Sequence, residues 1–229
     1  MPFRSVPGQA SVASEVEGGK LFAPSAARNL APLVDLVIRE APRNGRALEI
    51  ASGTGQHIVG LARALPGLHW HPSDIDPARR ASIDAYVAEA GLKNVEIAAA
   101  LDATGPGWGA LIGPFDLILL SNLLHLISGE EARLLLEQAA MALTPAGRMV
   151  IYGPFARGGT LTSEGDRAFD AALRDHDPET GYKDVAEMHE WATDVGLSLT
   201  KQIEMPANNL SLVLTRSSHR QPGQTDRAD

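Results

Sequence analysis

The sequence predicts an α/β fold: a seven-stranded, mostly parallel sheet with helices on both faces and an antiparallel hairpin at its C-terminal end. Three observations predict it. Arg46 to His57 (RALEIASGTGQH) is an apolar run containing a carboxylate that bends through small residues into a helical pattern, as a parallel strand does when it feeds a helix. Phe115 to Leu120 is a continuous apolar run, the mark of a central strand buried on both faces. The last two strands, about 197–205 and 210–215, have only Pro206-Ala207-Asn208-Asn209 between them, so one must run antiparallel. Five β-α units precede that hairpin, the rhythm of a doubly wound, Rossmann-like sheet.

Taken in order, residues 1–20 read as a flexible N-terminal arm without the basic-then-apolar pattern of a signal peptide. Leu30, Leu33, Val34, Val37 and Ile38 form a helical stripe interrupted by Pro32. A short turn over 26–30 and a longer helix starting at the proline are expected. The first sheet strand covers about 47–51, and Ile58, Leu61, Ala62 and Leu65 give the next helix its apolar face. Residues 68–73 are a second strand ending at Asp74. Asp76-Pro77 then supplies a helix cap and first turn. Val95, Ile97, Ala99 and Leu101 alternate as a third strand ending at Asp102, and 105–113 reads as a glycine-rich loop. A helix around Leu135 to Leu143 and a strand over 148–152 complete the fifth unit. Residues 153–183 are a lid-like insertion with a helix near 163–174, and Asp184 with Glu187 forms a capping box. The single domain spans 21–216, and 217–229 is expected to be a disordered tail.

The chain has 229 residues, a formal net charge of −8 and no cysteine. Disulfides, thiolate metal sites and a cysteine nucleophile are thereby excluded. The acidic balance argues against sequence-independent nucleic-acid binding, and no apolar run is long enough to span a membrane. A cytoplasmic protein, monomer or homodimer, is expected. The run Arg174-Asp175-His176-Asp177 reads as a solvated loop, so no metal site is assigned.

Gly53 and Gly55 would allow close backbone approach to a ligand at a helix N-terminus, and Asp74 lies roughly 20 residues further on, where a nucleotide fold places its ribose-binding acid. The loop is open to a plainer reading as a tight strand-to-helix turn.

An acid within the first strand, one after the second, one after the third and a final hairpin resemble the class I S-adenosylmethionine-dependent methyltransferases over about 21–216. Pro24-Ser25-Ala26-Ala27-Arg28-Asn29, Ala51 to His57, Pro72-Ser73-Asp74, Tyr152-Gly153-Pro154-Phe155, the stretch from Phe169-Asp170 to Asp177-Pro178 and Met205 to Asn209 resemble, more narrowly, the methyltransferase-like protein 26 family, domain of unknown function 938. That family implies a fold and a cofactor but no secure substrate. Ala51 stands where the general class has the first of three alternating glycines, and a negative φ is expected there.

The resemblance implies that Glu49 and the backbone of Ala51, Ser52, Gly53 and Gly55 hold the methionine end of S-adenosylmethionine, with S-adenosylhomocysteine as the product. Asp74 would take the ribose hydroxyls and Ile75 would pack on the adenine. Asp102 with the Ala103 amide would read the adenine edge, or Asp102 would only start a turn. Ser121 and Asn122 would face the methionyl group, or Asn122 would cap a helix. Arg28 would clamp the cofactor carboxylate or form a surface ion pair. Asn29, His57, Tyr152, Asn208 and Asn209 are candidates for substrate contact, the last two being equally suited to a hairpin turn. Among His125, Tyr152 and His57 a general base is sought, although methyl transfer is mainly a matter of alignment and His125 also reads as a partly buried packing residue.

A small-molecule acceptor fits best, since the residues after the fourth strand (Asn122-Leu123-Leu124-His125) lack the proline-rich aromatic motif of amino-directed DNA enzymes. The alternatives are a nicotinamide-dependent oxidoreductase, against which the glycine spacing speaks, and a non-catalytic S-adenosylmethionine-binding protein.

Overall fold

A computed structural model describes residues 12–217. It begins with a small hairpin, β1 (Ser14–Val16) and β2 (Lys20–Phe22), followed by α1 (Pro24–Glu40). The core alternates β3 (Gly45–Ile50), α2 (Gln56–Ala64), β4 (Leu68–Asp74), α3 (Pro77–Ala90), β5 (Ala99–Ala100), α4 (Trp108–Ile112), β6 (Phe115–Ser121), α5 (Gly129–Ala142) and β7 (Leu143–Pro154). Then come α6 (Glu164–His176), α7 (Val185–Asp194), β8 (Leu197–Glu204) and β9 (Asn209–Arg216).

The main sheet has the order β5-β4-β3-β6-β7-β9-β8. β3 to β7 are parallel, while β9 lies antiparallel to both β7 and β8. The chain leaves β3 towards one edge and returns at β6 to build towards the other. The carboxyl ends of β3 and β6 therefore flank a topological switch point, where a crevice opens in such sheets.

Alternation along β6 shows why its run is apolar throughout. Leu117 and Leu119 join Leu33, Leu36, Val37, Ile58 and Leu61 of α1 and α2, whereas Ile118 and Leu120 join Leu135, Leu136, Met188 and Trp191 of α5 and α7.

Several expectations are corrected. Residues 24–40 are one helix with Pro32 inside it. A mid-helix proline costs about 3 kcal/mol, and burial of Leu33, Leu36 and Val37 against α2 outweighs that cost. The third strand shrinks to Ala99–Ala100 plus a single Trp70–Val95 bridge. The Ala98 amide donates to Asp84 Oδ1 at 2.8 Å instead of to a neighbouring strand, leaving Ile97 80% exposed. The expected loop over 105–113 contains α4. From within the expected arm into the domain, 14–22 form the hairpin, turned by Gly18 (φ 79°) and Gly19 (φ 73°). Lys20 pairs with Glu89 and stands 5.2 Å over the Tyr86 ring, and the Leu21 amide donates to Ser82 Oγ. The remainder of the arm, 1–11, and the tail from 218 lie outside the described residues, while the Ser217 amide donates to the Gly196 carbonyl.

Candidate functional site

The turn after β3 is held from several sides. The Ser52 amide donates to the Ser73 carbonyl at 2.8 Å, and Ser52 Oγ donates to the Glu49 carbonyl at 3.2 Å. These bonds draw Ala51 to φ 52°, against the negative φ expected for alanine. The left-handed conformation costs a non-glycine residue about 1–2 kcal/mol, which the bonded turn sustains. Gly55 (φ 93°) is required on two counts, since a Cβ there would also sit 2.8 Å from Ile83 Cα. The loop is thus wedged against α3.

Asp74 ends β4, buried, and joins the loop to the second strand. Its Oδ2 accepts from the Gly53 amide and its Oδ1 from the Asp76 amide, each at 3.0 Å. Burial raises its pKa, opposed by the Asp76 bond, the Arg79 charge and the Gly53 bond. Glu49 beside it is 1% exposed and neither carboxylate oxygen has a hydrogen-bond partner. Burial pushes that carboxyl up to about 8. Two acids therefore lie behind the loop, one satisfied by backbone amides and one unpartnered.

In front of the loop is a cavity of about 120 Å³ at the switch point. Ala51, Ser52, Gly53, His57, Ser121 and Asn122, all expected site residues, line it. His57 reaches it from the first turn of α2. Its Nε2 lies 3.0 Å from the Ala26 carbonyl of α1 and its Nδ1 3.3 Å from Ser121 Oγ. A carbonyl only accepts, so a neutral ring carries its proton on Nε2 and receives the serine O–H at Nδ1. Burial lowers the His57 pKa, opposed by the Ala26 bond. Beyond Ser121, Asn122 adopts φ 54° and its amide donates to the Tyr152 carbonyl, which turns the chain at the mouth of the crevice.

Sequence reading did not anticipate Arg79 or Leu126 on this wall, nor Val12 and Ala13 of the N-terminal segment. Arg79 lies in the first turn of α3, two residues after the expected Asp76-Pro77 start, and that position was its only signal. It is the one formally charged side chain among the described residues that lines the cavity.

Other expected residues stand apart from the wall. Arg28 is exposed on α1, with Asn29 beside it half-buried. Ile75 is 39% exposed just past Asp74. Asp102 Oδ1 accepts from the amide and hydroxyl of Thr104, the turn-starting alternative, and the Ala103 carbonyl accepts from Trp108 Nε1. The Tyr152 hydroxyl accepts from Asn209 Nδ2 at 3.2 Å, and Asn208 (φ 60°) donates to Asp166 Oδ2 at 3.1 Å. These three residues fasten the last hairpin to β7 and α6 rather than face the cavity. His125 packs its ring near Phe169 and Tyr182, and burial lowers its pKa to about 4.

The insertion over 153–183 contributes no residue to the cavity wall among the described residues. It is bound at its end instead. Buried Lys183 donates to the Ile127 and Gly181 carbonyls, and the Gly181 amide donates to the His125 carbonyl. Among the described residues no group of three or more histidines and acids is placed to hold a metal, and no helix is long and apolar enough to cross a membrane.

A family model described as protein of unknown function (DUF938) matches residues 20–216. Solved structures share the fold. An O-methyltransferase family protein from Burkholderia thailandensis superimposes with a TM-score of 0.71 at 20% identity, over 85% of this chain and 58% of its own. The mitomycin 7-O-methyltransferase MmcR gives 0.69 at 17% identity, over 84% and 55%. A putative O-methyltransferase from Nostoc punctiforme gives 0.72 at 19%, over 83% and 56%. The chain spans a little over half the length of these proteins, and the fold it shares with them is that of the class I methyltransferases.

Proposed function

The chain belongs to the family described as protein of unknown function (DUF938), and from that premise we propose that it is an S-adenosylmethionine-dependent methyltransferase acting in line on a small-molecule acceptor. The motif resemblance to methyltransferase-like protein 26 is part of the same reading. The observation that carries it is the pair of buried acids behind the glycine loop. A buried carboxyl with no hydrogen-bond partner ionises most readily beside a cation. S-adenosylmethionine brings two, an ammonium and a sulfonium. In this reading Glu49 and the backbone of 51–55 take the methionyl end, and Asp74 uses its remaining lone pairs for the ribose. Exposed Ile75 meets the adenine, with Asp102 near its edge.

The bound cofactor supplies an electrophilic methyl group already attached to a charged leaving group. The protein's share is alignment and exclusion of water. Arg79 is placed over Gly53, where a Cβ would lie 3.8 Å from its Nη1, and is suited to an anionic group such as the cofactor carboxylate.

A cavity of about 120 Å³ is smaller than the roughly 300–1,000 Å³ of a site for a drug-sized ligand. Binding therefore requires the site to widen. The N-terminal segment is the element placed to do so, because Val12 and Ala13, just ahead of a short, exposed hairpin, form part of the wall.

Calorimetric titration with S-adenosylhomocysteine, with NADH as control, tests the reading. Micromolar binding of the first alone supports it, and transfer of labelled methyl to an acceptor distinguishes an enzyme from a binding protein. Binding of NADH alone, or of neither, sinks it.

A further inference from the structure

Building on the methyltransferase reading, we infer that Ser121 and His57 form a proton relay that deprotonates the methyl acceptor, and that the acceptor's reacting atom is a hydroxyl oxygen. The geometry is supplied by three elements. β6 ends in the crevice and presents Ser121 to the cavity. α2 brings His57 to it in its first turn, and the Ala26 carbonyl in the first turn of α1 fixes the ring by accepting from Nε2 at 3.0 Å. Nδ1 is left as an acceptor 3.3 Å from Ser121 Oγ.

The consequence falls on the serine. Its hydrogen is directed at His57, so its lone pairs receive a donor from the cavity. A neutral hydroxyl has such a donor and needs to lose its proton as it attacks. A carboxylate acceptor has no hydrogen to give, and a neutral amine can attack while keeping its own. The hydroxyl is therefore the nucleophile this pair serves.

The step balances. The hydroxyl oxygen forms its bond to the methyl carbon as the carbon–sulfur bond breaks, with its electron pair, onto sulfur. The hydroxyl proton passes to Ser121 Oγ while the serine's own proton passes to His57 Nδ1. The positive charge lost by sulfur reappears on the imidazolium, so the site's net charge does not change during the reaction. Burial lowers the His57 pKa and keeps the ring neutral at rest, and the Ala26 carbonyl, accepting from Nε2, favours the imidazolium as it forms. Ser121 faces the ring from β6, and Arg79 of α3 shares the cavity wall. Ser121 is the catalytic residue in this scheme and His57 acts through it.

The test begins with selective ¹⁵N-histidine labelling and NMR of the wild-type chain at neutral pH, free and with S-adenosylhomocysteine. The expected result is a His57 ring protonated at Nε2 only, with an Nδ1 resonance that moves in Ser121→Ala and persists when the ligand binds. A ring protonated at Nδ1, or an Nδ1 signal that loses its serine bond on ligand binding, overturns the relay. A second arm follows transfer of labelled methyl from S-adenosylmethionine to simple phenols. Ser121→Ala and His57→Gln should lower kcat by roughly 100-fold or more, the usual scale of proton-transfer catalysis, with affinity for S-adenosylhomocysteine retained. An unchanged kcat overturns the proposal, and where no phenol is methylated the NMR result decides alone. If S-adenosylhomocysteine fails to bind the wild type, it is the methyltransferase reading that has failed. The tautomer result then stands only as a description of the ring.

Discussion

The amide of Gly53 donates to Asp74 Oδ2 at 3.0 Å, so the loop after the first core strand is tied to the acid that ends the second. The sequence separates these residues by 21 positions, and the register of β3 against β4 brings them together. The acid thereby shapes the loop, and in the proposed reading it also takes the ribose. Asp74→Asn replaces an acceptor-only group with one that also presents N–H, and one of the two amides, Gly53 or Asp76, loses its acceptor. Affinity for S-adenosylhomocysteine should fall by tenfold or more, roughly one charge-assisted bond, and the melting temperature should fall with it. Calorimetry and a thermal melt on the same variant check both outcomes.

Gly55 offers a sharper test of why the loop has its composition. Gly55→Ala meets both a φ of 93° and the Ile83 backbone at 2.8 Å. The strain alone costs about 1–3 kcal/mol, and the contact with α3 adds to it. Urea unfolding should show a loss at least that large. Gly91→Ala also sits at positive φ but has nothing within 4 Å, so it should lose only the conformational part.

Glu49 makes the stability of the unliganded protein depend on pH. Its folded-state pKa, about 8, lies above the ordinary value of 4.5. The folded protein therefore binds the Glu49 proton more tightly than the unfolded chain does. The associated stability is fully present below about 4.5 and is lost progressively as pH rises to about 8. The loss is on the order of several kcal/mol. Melting curves from pH 5 to 9 should decline in the wild type and flatten in Glu49→Gln. Saturating S-adenosylhomocysteine should restore wild-type stability at the alkaline end, because its ammonium compensates the carboxylate. An unchanged slope in the variant would place the titration on another group.

Much of this arrangement was legible in the sequence because it depends on local signals. The glycine loop, the Asp76-Pro77 helix start, the Asp184–Glu187 capping box and the central β6 run all follow from chemistry within a few residues. What escaped depends on distant partners. Nothing near Ala98 in sequence announces that Asp84 will take its amide, and so the third strand reads longer than it is. Pro32 reads as a break because its penalty is local while the compensating burial of Leu33 and Val37 is not. His57 was legible as a site residue. Its contacts with Ala26 and Ser121 were not, since their meeting requires α1, α2 and β6 to converge. Asn208 and Asn209 read equally as substrate contacts or as a hairpin turn, and the bonds they make fasten the hairpin itself.

Lys183 anchors the end of the insertion. Its ammonium donates to the Ile127 carbonyl at 2.7 Å and the Gly181 carbonyl at 3.0 Å, both buried. Lys183→Met keeps the aliphatic stem and leaves two carbonyls without their donor, at a cost of about 1–3 kcal/mol each where water cannot reach them. Amide exchange across 177–183 should accelerate, while exchange in the glycine loop should stay unchanged. Acceleration of both would show that the insertion and the cavity are coupled.

The N-terminal hairpin should behave in the opposite way. Val12 and Ala13 contribute to the cavity wall, and the Leu21 amide donates to Ser82 Oγ, which itself donates to the Thr54 carbonyl of the glycine loop. Hairpin and loop thus share one hydroxyl. The outer tie, Lys20 to Glu89, is a surface pair whose removal should have little effect on global unfolding. If ligand entry requires the hairpin to swing outward, Lys20→Ala should speed association of S-adenosylhomocysteine with little change in melting temperature. Ser82→Ala should both loosen the hairpin and weaken binding, because it releases Thr54 as well. Stopped-flow association rates combined with amide exchange over 14–22 distinguish the two. A Lys20→Ala rate equal to the wild type, with unaltered exchange in the hairpin, would show that the cavity opens elsewhere.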